Sequence, residues 1–334
     1  MRTPTDRPPV VDIRDLHVEF KTYAGKVRVL NGVNFTVYAG EKVAIVGETG
    51  CGKTTTVKSI LRILAKNSRV PRGEILFRGR NVLGMKGDEL KKLRGAGASM
   101  IFQDPTMSLN PVFTIGEQMF EAIRNSGREG CGKRDTQQEL AVLALKQTSM
   151  PDPERILISY PFQLSGGMRQ RVCIAMSLAT PREMVIADEP TTNLDVTIQD
   201  QVLKILKDRV ESKHSSLILI THSLGVARET TDRVYVMYAG NMIETAPTEE
   251  IFRRQAHPYT QALMRCIPRL TGGGVAEGIP GRIPNYLKPP AGCRFAPRCP
   301  QAEKRCHEEK PEFADLGNEH FVACFSYEQE EKKG

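Results

Sequence analysis

Gly47-Glu48-Thr49-Gly50-Cys51-Gly52-Lys53-Thr54 is the stretch on which the reading of this chain turns. It spells G-x-x-x-x-G-K-T. The apolar run Val43-Ala44-Ile45-Val46 leads into it, and Val57, Ile60, Leu61 and Leu64 lead out with the i, i+3, i+4, i+7 spacing of a helix. Strand, glycine turn and helix are the context in which this motif holds phosphate. The glycines let backbone N–H groups turn inward where a Cβ would block them. The helix N-terminus adds a partial positive charge. Lys53 has the reach to contact β- and γ-phosphates, and the Thr54 hydroxyl, with Thr55 beside it, can serve Mg²⁺. A chance glycine turn needs neither the Lys nor the Thr, so the loop predicts a bound nucleoside triphosphate.

The 334 residues suffice for one large domain or two ordinary ones. No apolar run approaches a membrane span, the longest being strand-sized, such as Leu217-Ile218-Leu219-Ile220. Met1 to Val10 is polar and proline-rich with no apolar signal core, and the expectation is a cytosolic protein. The net charge of +8 comes without a block of Lys and Arg interleaved with aromatics. It reads as a solvated basic surface, with a nearby membrane favoured over nucleic acid.

The spacing predicts an antiparallel pair at the start: Ile13, Leu16, Val18 and Phe20 alternate with polar residues, a turn follows at Tyr23-Ala24-Gly25-Lys26, and Val27 to Val37 returns. Arg72 to Gly79 reads as another strand, and Asp88 as the cap of a short helix running to Arg94. Met100-Ile101-Phe102 is a short buried strand. Thr114 to Leu178 is mostly helical, with breaks at Gly127 to Gly132 and Met150 to Pro153. Met184 to Asp188 and Leu217 to Thr221 are continuous apolar strands of the parallel kind. A helix over Val196 to Lys213 lies between them, and Arg233 to Tyr238 with Asn241 to Glu244 makes a hairpin around Ala239-Gly240.

Two further stretches carry chemistry. Asp188 ends an apolar strand, where it can hold Mg²⁺ through water beside the phosphate loop, and Glu189 follows, placed to polarise an attacking water. Leu164-Ser165-Gly166-Gly167-Met168-Arg169-Gln170-Arg171 opens a second helix with a Ser and two glycines, again able to grip phosphate. It could equally be a capped helix without a ligand. One chain needs only one such grip for its own nucleotide, so the second points to a second chain.

Leu164 to Arg171 resembles the signature of ATP-binding cassette (ABC) proteins. The remaining motifs resemble that family in order: Gln103 in the loop joining core to helical subdomain, Asn193-Leu194-Asp195 as the aspartate loop, His222 as the switch histidine, and Tyr23 where an aromatic stacks on adenine. Thr192 and Asn193 stand where Ser and Ala are commoner. Phe102-Gln103-Asp104-Pro105, Ser108-Leu109-Asn110-Pro111, the run Ala187 to Gln199, His257-Pro258-Tyr259-Thr260-Gln261-Ala262-Leu263 and the cysteine-bearing tail look like the ATPase subunits of dipeptide and oligopeptide importers. The likeness covers nearly the whole chain after Val10. It implies an α/β fold with a RecA-like, mostly parallel core, an N-terminal antiparallel β subdomain, an α-helical subdomain at about 112–178 and a small Cys-rich C-terminal extension. It also implies a head-to-tail ATPase dimer, with each ATP between one chain's phosphate loop and the partner's Ser165-Gly166-Gly167. Closure would pull on two transmembrane permease subunits docked near Gln103, and a peptide-binding protein would act indirectly. Thr54, Gln103 and Asp188 would surround Mg²⁺, Asp195 would complete the nucleotide contacts, and Lys53, Glu189 and His222 would act on the γ-phosphate.

Residues 1–270 thus read as the nucleotide-binding domain and 271–334 as the extension, divided by the glycine linker at 271–274. In the extension, Cys293, Cys299, Cys306 and Cys324 follow C-x5-C-x6-C-x17-C. Free thiols, structural zinc and an iron–sulfur cluster compete. Zinc sites favour closer pairs, whereas a [4Fe–4S] cluster takes four thiolates across wider loops. The importer resemblance implies the cluster, as a staple for a segment with little core. The function expected is ATP hydrolysis at the cytoplasmic face of the membrane, powering import of dipeptides or oligopeptides. Nickel or oligosaccharide import is the near alternative. A soluble cassette acting on nucleic acid is the distant one, disfavoured because about a hundred residues, the size of an ordinary helical subdomain, separate loop from signature.

Overall fold

The computed structural model describes residues 7–192, 196–266 and 278–328. Asp195 and the glycine linker lie outside the described residues. Along the chain, β1 (Pro9–Thr22), β2 (Gly25–Tyr38) and β3 (Lys42–Val46) precede α1 (Lys53–Ile60), and β4 (Ser68–Phe77) and β5 (Arg80–Asn81) follow it. Next come α2 (Gly87–Lys92), β6 (Ala98–Ile101), α3 (Pro105–Ser108), α4 (Ile115–Arg124), α5 (Arg134–Gln147), α6 (Pro153–Ile158) and α7 (Gly166–Leu178). The chain continues through β7 (Met184–Asp188), α8 (Val196–Ser212), β8 (Ser216–Ile220), α9 (Leu224–Thr230), β9 (Arg233–Tyr238) and β10 (Asn241–Pro247). It closes with α10 (Thr248–Arg253), α11 (Pro258–Arg265), α12 (Lys304–Glu308), β11 (Ala314–Asp315) and β12 (Phe321–Val322).

Internal contacts gather these elements into two bodies. One holds Met1–Val10, Tyr38–Glu41 and Gly84–Leu219; the other holds Val11–Val37, Lys42–Leu83 and Ile220–Gly334. The first is the helical body. In it β6 pairs in parallel with β7, Ala98 opposite Met184 and Ile101 opposite Ala187. Every residue of β7 is buried, as a parallel strand covered on both faces requires. The helices enclose an apolar core of Ile115, Met119, Ile123, Leu145 and Val172, among others. Thr114 starts α4 with a reciprocal capping box to Glu117, which answers two otherwise orphaned N–H groups.

The second body carries the phosphate loop. Its antiparallel sheet runs β2-β1-β4-β5, with Val11 opposite Phe77 and Ile13 opposite Ile75. Its other strands run β3-β9-β10-β12-β11. β3 and β9 are parallel, Val46 opposite Val236, while β9 and β10 form the expected hairpin. Ala239 and Gly240 have φ of 44° and 80°, the pair of left-handed residues that a two-residue hairpin turn needs.

Two local expectations are corrected. The helix after the phosphate loop stops at Ile60 and does not extend to Leu64. Arg62 turns left-handed at φ 51°, Ile63 N–H bonds to the Lys58 carbonyl at 3.0 Å and Arg62 N–H to that of Ser59 at 3.1 Å, a closure that ends a helix regardless of the apolar spacing beyond it. Asp88 lies in the first turn of α2 and the extended residue Lys86 is its cap, so the acid acts on the helix dipole without capping it.

The cysteine-bearing extension has little core of its own, as expected, and draws on that of the phosphate-loop body. Phe295, between Cys293 and Cys299, is 1% exposed and packs edge-on against Tyr238 and Tyr259 at centroid distances of 5.1 and 5.4 Å.

Candidate nucleotide site

β3 is buried along Val43–Val46 and delivers the chain into the phosphate loop. Gly47 turns at φ 151°, where a Cβ would lie 2.1 Å from the Met237 carbonyl oxygen. Gly52 caps α1 at φ 112° and offers no side-chain cap to the first-turn N–H groups. The turn of the β9–β10 hairpin braces the loop, Gly240 N–H donating to the Cys51 carbonyl at 2.7 Å. Gly240 itself approaches Val29 so closely that a Cβ would meet its oxygen at 1.8 Å.

Lys53 is buried. Its ammonium folds back on the loop, donating to the carbonyls of Gly47 at 2.7 Å and Glu48 at 3.1 Å. An anionic ligand in the loop would offer these protons a stronger acceptor. Thr54 and Thr55 are half-buried, and Thr49 and Gly50 are exposed at the loop's outer edge. The Cys51 thiol is buried, and burial raises its pKa, against the lowering field of Lys53. Thr221 bonds through its N–H to the Ile45 carbonyl at 3.4 Å, and His222 beside it is exposed. Tyr23 is fully exposed at the tip between β1 and β2.

The helical body carries the acidic residues. Asp188 is 2% exposed at the end of β7. Glu189 follows at φ 46°, a strained conformation for a non-glycine residue, and strain of this kind clusters at functional sites. Its carboxylate accepts from Gln103 Nε2 at 2.8 Å and from Thr192 Oγ1 at 3.1 Å. Ser165 caps α7, accepting from Met168 N–H at 3.3 Å, and with Gly166 it is exposed. A Cβ on Gly166 would meet nothing within 4 Å, so the helix start is open to another molecule. Gln170, buried one turn later, donates to the Pro190 carbonyl at 2.7 Å and ties the signature helix to the acidic loop.

Sequence reasoning missed the residues that buttress the loop from the C-terminal side. Glu48 N–H donates to Tyr259 Oη at 2.9 Å, and Tyr286 Oη donates to the Gly50 carbonyl at 2.8 Å. Arg298 grips the Glu48 carboxylate with both terminal nitrogens, at 2.8 and 3.0 Å. Tyr259 lies in the His257–Leu263 stretch already singled out, but no local pattern marks these contacts, because they span more than two hundred positions.

The four tail cysteines line one pocket with His257, Phe295 and Phe325. Burial pushes the Cys293 thiol up to about 11, against the N–H groups of Phe295 and Ala296, which favour its thiolate. Burial also raises Cys299, opposed by the Gln301 N–H. Glu303 N–H reaches Cys306 Sγ at 3.5 Å. Among the described residues no group of three or more His, Cys, Asp or Glu is drawn together as a site for a single metal ion. The four thiols thus share one apolar pocket, with backbone N–H groups aimed at sulfur.

Comparison with known proteins agrees with this geometry. Residues 30–192 match the model of the ABC transporter family, and residues 243–306 match that of the oligopeptide/dipeptide transporter C-terminal region. A probable peptide ABC transporter ATP-binding protein of Sinorhizobium fredii is 44% identical over 95% of this chain and 94% of its own length. The chain belongs to the ATP-binding proteins of peptide ABC transporters. A dipeptide transport ATP-binding protein of Bacillus subtilis is 43% identical over 96% of this chain and 95% of its own length. Among solved structures, a bacterial ABC transporter cassette determined as a dimer aligns with a TM-score of 0.64 and 26% identity, over 71% of this chain and 98% of that one. As an ABC ATPase the chain has no helix among the described residues long and apolar enough to cross a membrane.

Proposed function

We propose that this chain hydrolyses ATP to power import of dipeptides or oligopeptides, as one of two ATPase subunits on the cytoplasmic face of a membrane. The observation that carries the proposal is one chain holding both an ABC ATPase match and a peptide-transporter C-terminal region. Lys53 and the loop N–H groups bind the phosphates. Thr54, Gln103 and Asp188 serve Mg²⁺, which spreads the charge on the transferring phosphoryl group. Glu189 orients the attacking water, His222 contacts the γ-phosphate, and Tyr23 stacks on adenine. The partner's Ser165-Gly166-Gly167 closes the site, and the exposed start of α7 supports that arrangement.

The permease subunits dock on the helical body. Its surface exposes Met107, Val112, Phe113, Ile158, Tyr160 and Phe162, a set that a monomer would otherwise leave in water. The core enclosed by α4 to α7 supports treating residues 112–178 as a helical subdomain within a nucleotide-binding domain of residues 1–270, with 271–334 as the extension. Cys293, Cys299, Cys306 and Cys324 hold a [4Fe–4S] cluster, with zinc as the alternative. Such a cluster supplies ligand bonds that fasten the extension. The cargo is tested by co-purifying the intact complex and measuring ATPase stimulation by its binding protein loaded with peptides, nickel chelates or oligosaccharides. Stimulation by nickel or sugar but not peptide would overturn the peptide assignment.

A further inference from the structure

We propose that Arg298 is a positioning residue for nucleotide: it neutralises and holds Glu48 so that the phosphate loop can accept a polyanion. The proposal rests on the reading of this loop as the ATP site.

Glu48 is an awkward residue for its task. It is the second residue of a loop that must surround triphosphate, and its carboxylate repels phosphate oxygens. Arg298 answers that charge with a complete guanidinium fork. Nη1 donates to Glu48 Oε2 at 2.8 Å and to Tyr238 Oη at 3.2 Å. Nη2 donates to Glu48 Oε1 at 3.0 Å and to the Ile279 carbonyl at 2.9 Å, and Nε donates to the Pro280 carbonyl at 2.8 Å. Every N–H of the guanidinium therefore has an acceptor. The Arg298 side chain is only 4% exposed, so the pair is poorly screened and its geometry is fixed. Tyr259 and Tyr286 hold the backbone on either side of Thr49, so the loop is pinned in both charge and position.

The pairing also protects Lys53. Its ammonium already rests on the Glu48 carbonyl at 3.1 Å. With Arg298 removed, the unpaired Glu48 carboxylate becomes a competitor for the cation that ATP needs. Arg298 directly precedes Cys299, and its N–H bonds to the Phe295 carbonyl at 2.9 Å. The cysteine arc therefore sets where the guanidinium stands.

The test is equilibrium binding of radiolabelled ATP with Mg²⁺ to the purified full chain, for the wild type, R298M, R298K, E48Q and the R298M/E48Q double variant. R298M should raise the Kd about tenfold to a hundredfold, because it strands a charge whose partner was buried. R298K keeps the charge, loses the fork and should fall between. The double variant should recover to within about threefold of wild type, since no carboxylate remains to oppose phosphate. Wild-type affinity in R298M, or a double variant as weak as R298M, would overturn the proposal. If R298M does not fold, R298K and E48Q/R298K carry the same comparison. A wild-type chain that binds no ATP would instead remove the nucleotide-site reading itself.

Discussion

Gln103 donates from Nε2 to Glu189 Oε2 at 2.8 Å, joining the loop after β6 to the loop after β7 across 86 positions of sequence. Parallel pairing of β6 with β7 makes this possible, because it brings both C-terminal strand ends to the same edge. In this state Glu189 is engaged by Gln103 and Thr192, and a ligand taking Gln103 as a Mg²⁺ contact would release part of that hold.

Glu189→Gln should retain ATP binding and lose hydrolysis by about 10²-fold or more, since the amide keeps shape but cannot polarise water. Single-turnover phosphate release with a parallel binding measurement reads both quantities. Normal turnover in this variant would remove Glu189 from the catalytic role.

Gln103→Ala should slow basal hydrolysis about tenfold, because it removes a Mg²⁺ contact, and should also abolish most of the fold-stimulation by permease and loaded binding protein. The comparison is made in reconstituted vesicles. A variant stimulated as strongly as wild type would show that Gln103 does not couple the nucleotide site to the permease.

Gly47→Ala should destabilise the phosphate-loop body by about 3 kcal/mol or more, combining left-handed strain with a Cβ placed 2.1 Å from the Met237 oxygen. Urea unfolding gives the loss. Gly166→Ala, with open space around it, should cost little stability and should instead weaken ATP-driven dimerisation. Equal losses at the two glycines would contradict this division.

Cys51 should alkylate slowly. Burial raises its pKa, so at pH 7.5 the thiolate is scarce, and thiolate gains population only as pH climbs past the ordinary thiol range. Modification by N-ethylmaleimide, followed by peptide mass spectrometry, should run at least about tenfold slower in the folded chain than in urea. Equal rates would mean that the loop opens freely.

Anaerobic purification should yield a coloured protein with about four irons per chain, and Cys324→Ser should reduce both iron content and melting temperature. A colourless protein with stoichiometric zinc would replace the cluster with a single ion.

The phosphate loop, the acidic pair and the signature were legible in the sequence because each is a run of neighbouring residues whose spacing encodes its geometry: glycines where N–H groups must converge, an acid where a strand ends, Ser-Gly-Gly where a helix begins. The β1–β2 turn and the Ala239-Gly240 hairpin were legible for the same local reason. The end of α1 was not, since apolar spacing continued past the point where Arg62 turned left-handed. What only the tertiary structure decided is what surrounds the loop. The contacts of Arg298, Tyr259 and Tyr286 with the loop leave no mark in sequence because hydrogen bonds spanning 211 to 250 positions have no periodicity. Chain folding alone puts a buried guanidinium from the cysteine tail against Glu48. Local sequence therefore determined that this chain grips phosphate, and long-range packing decided which residues shape the grip.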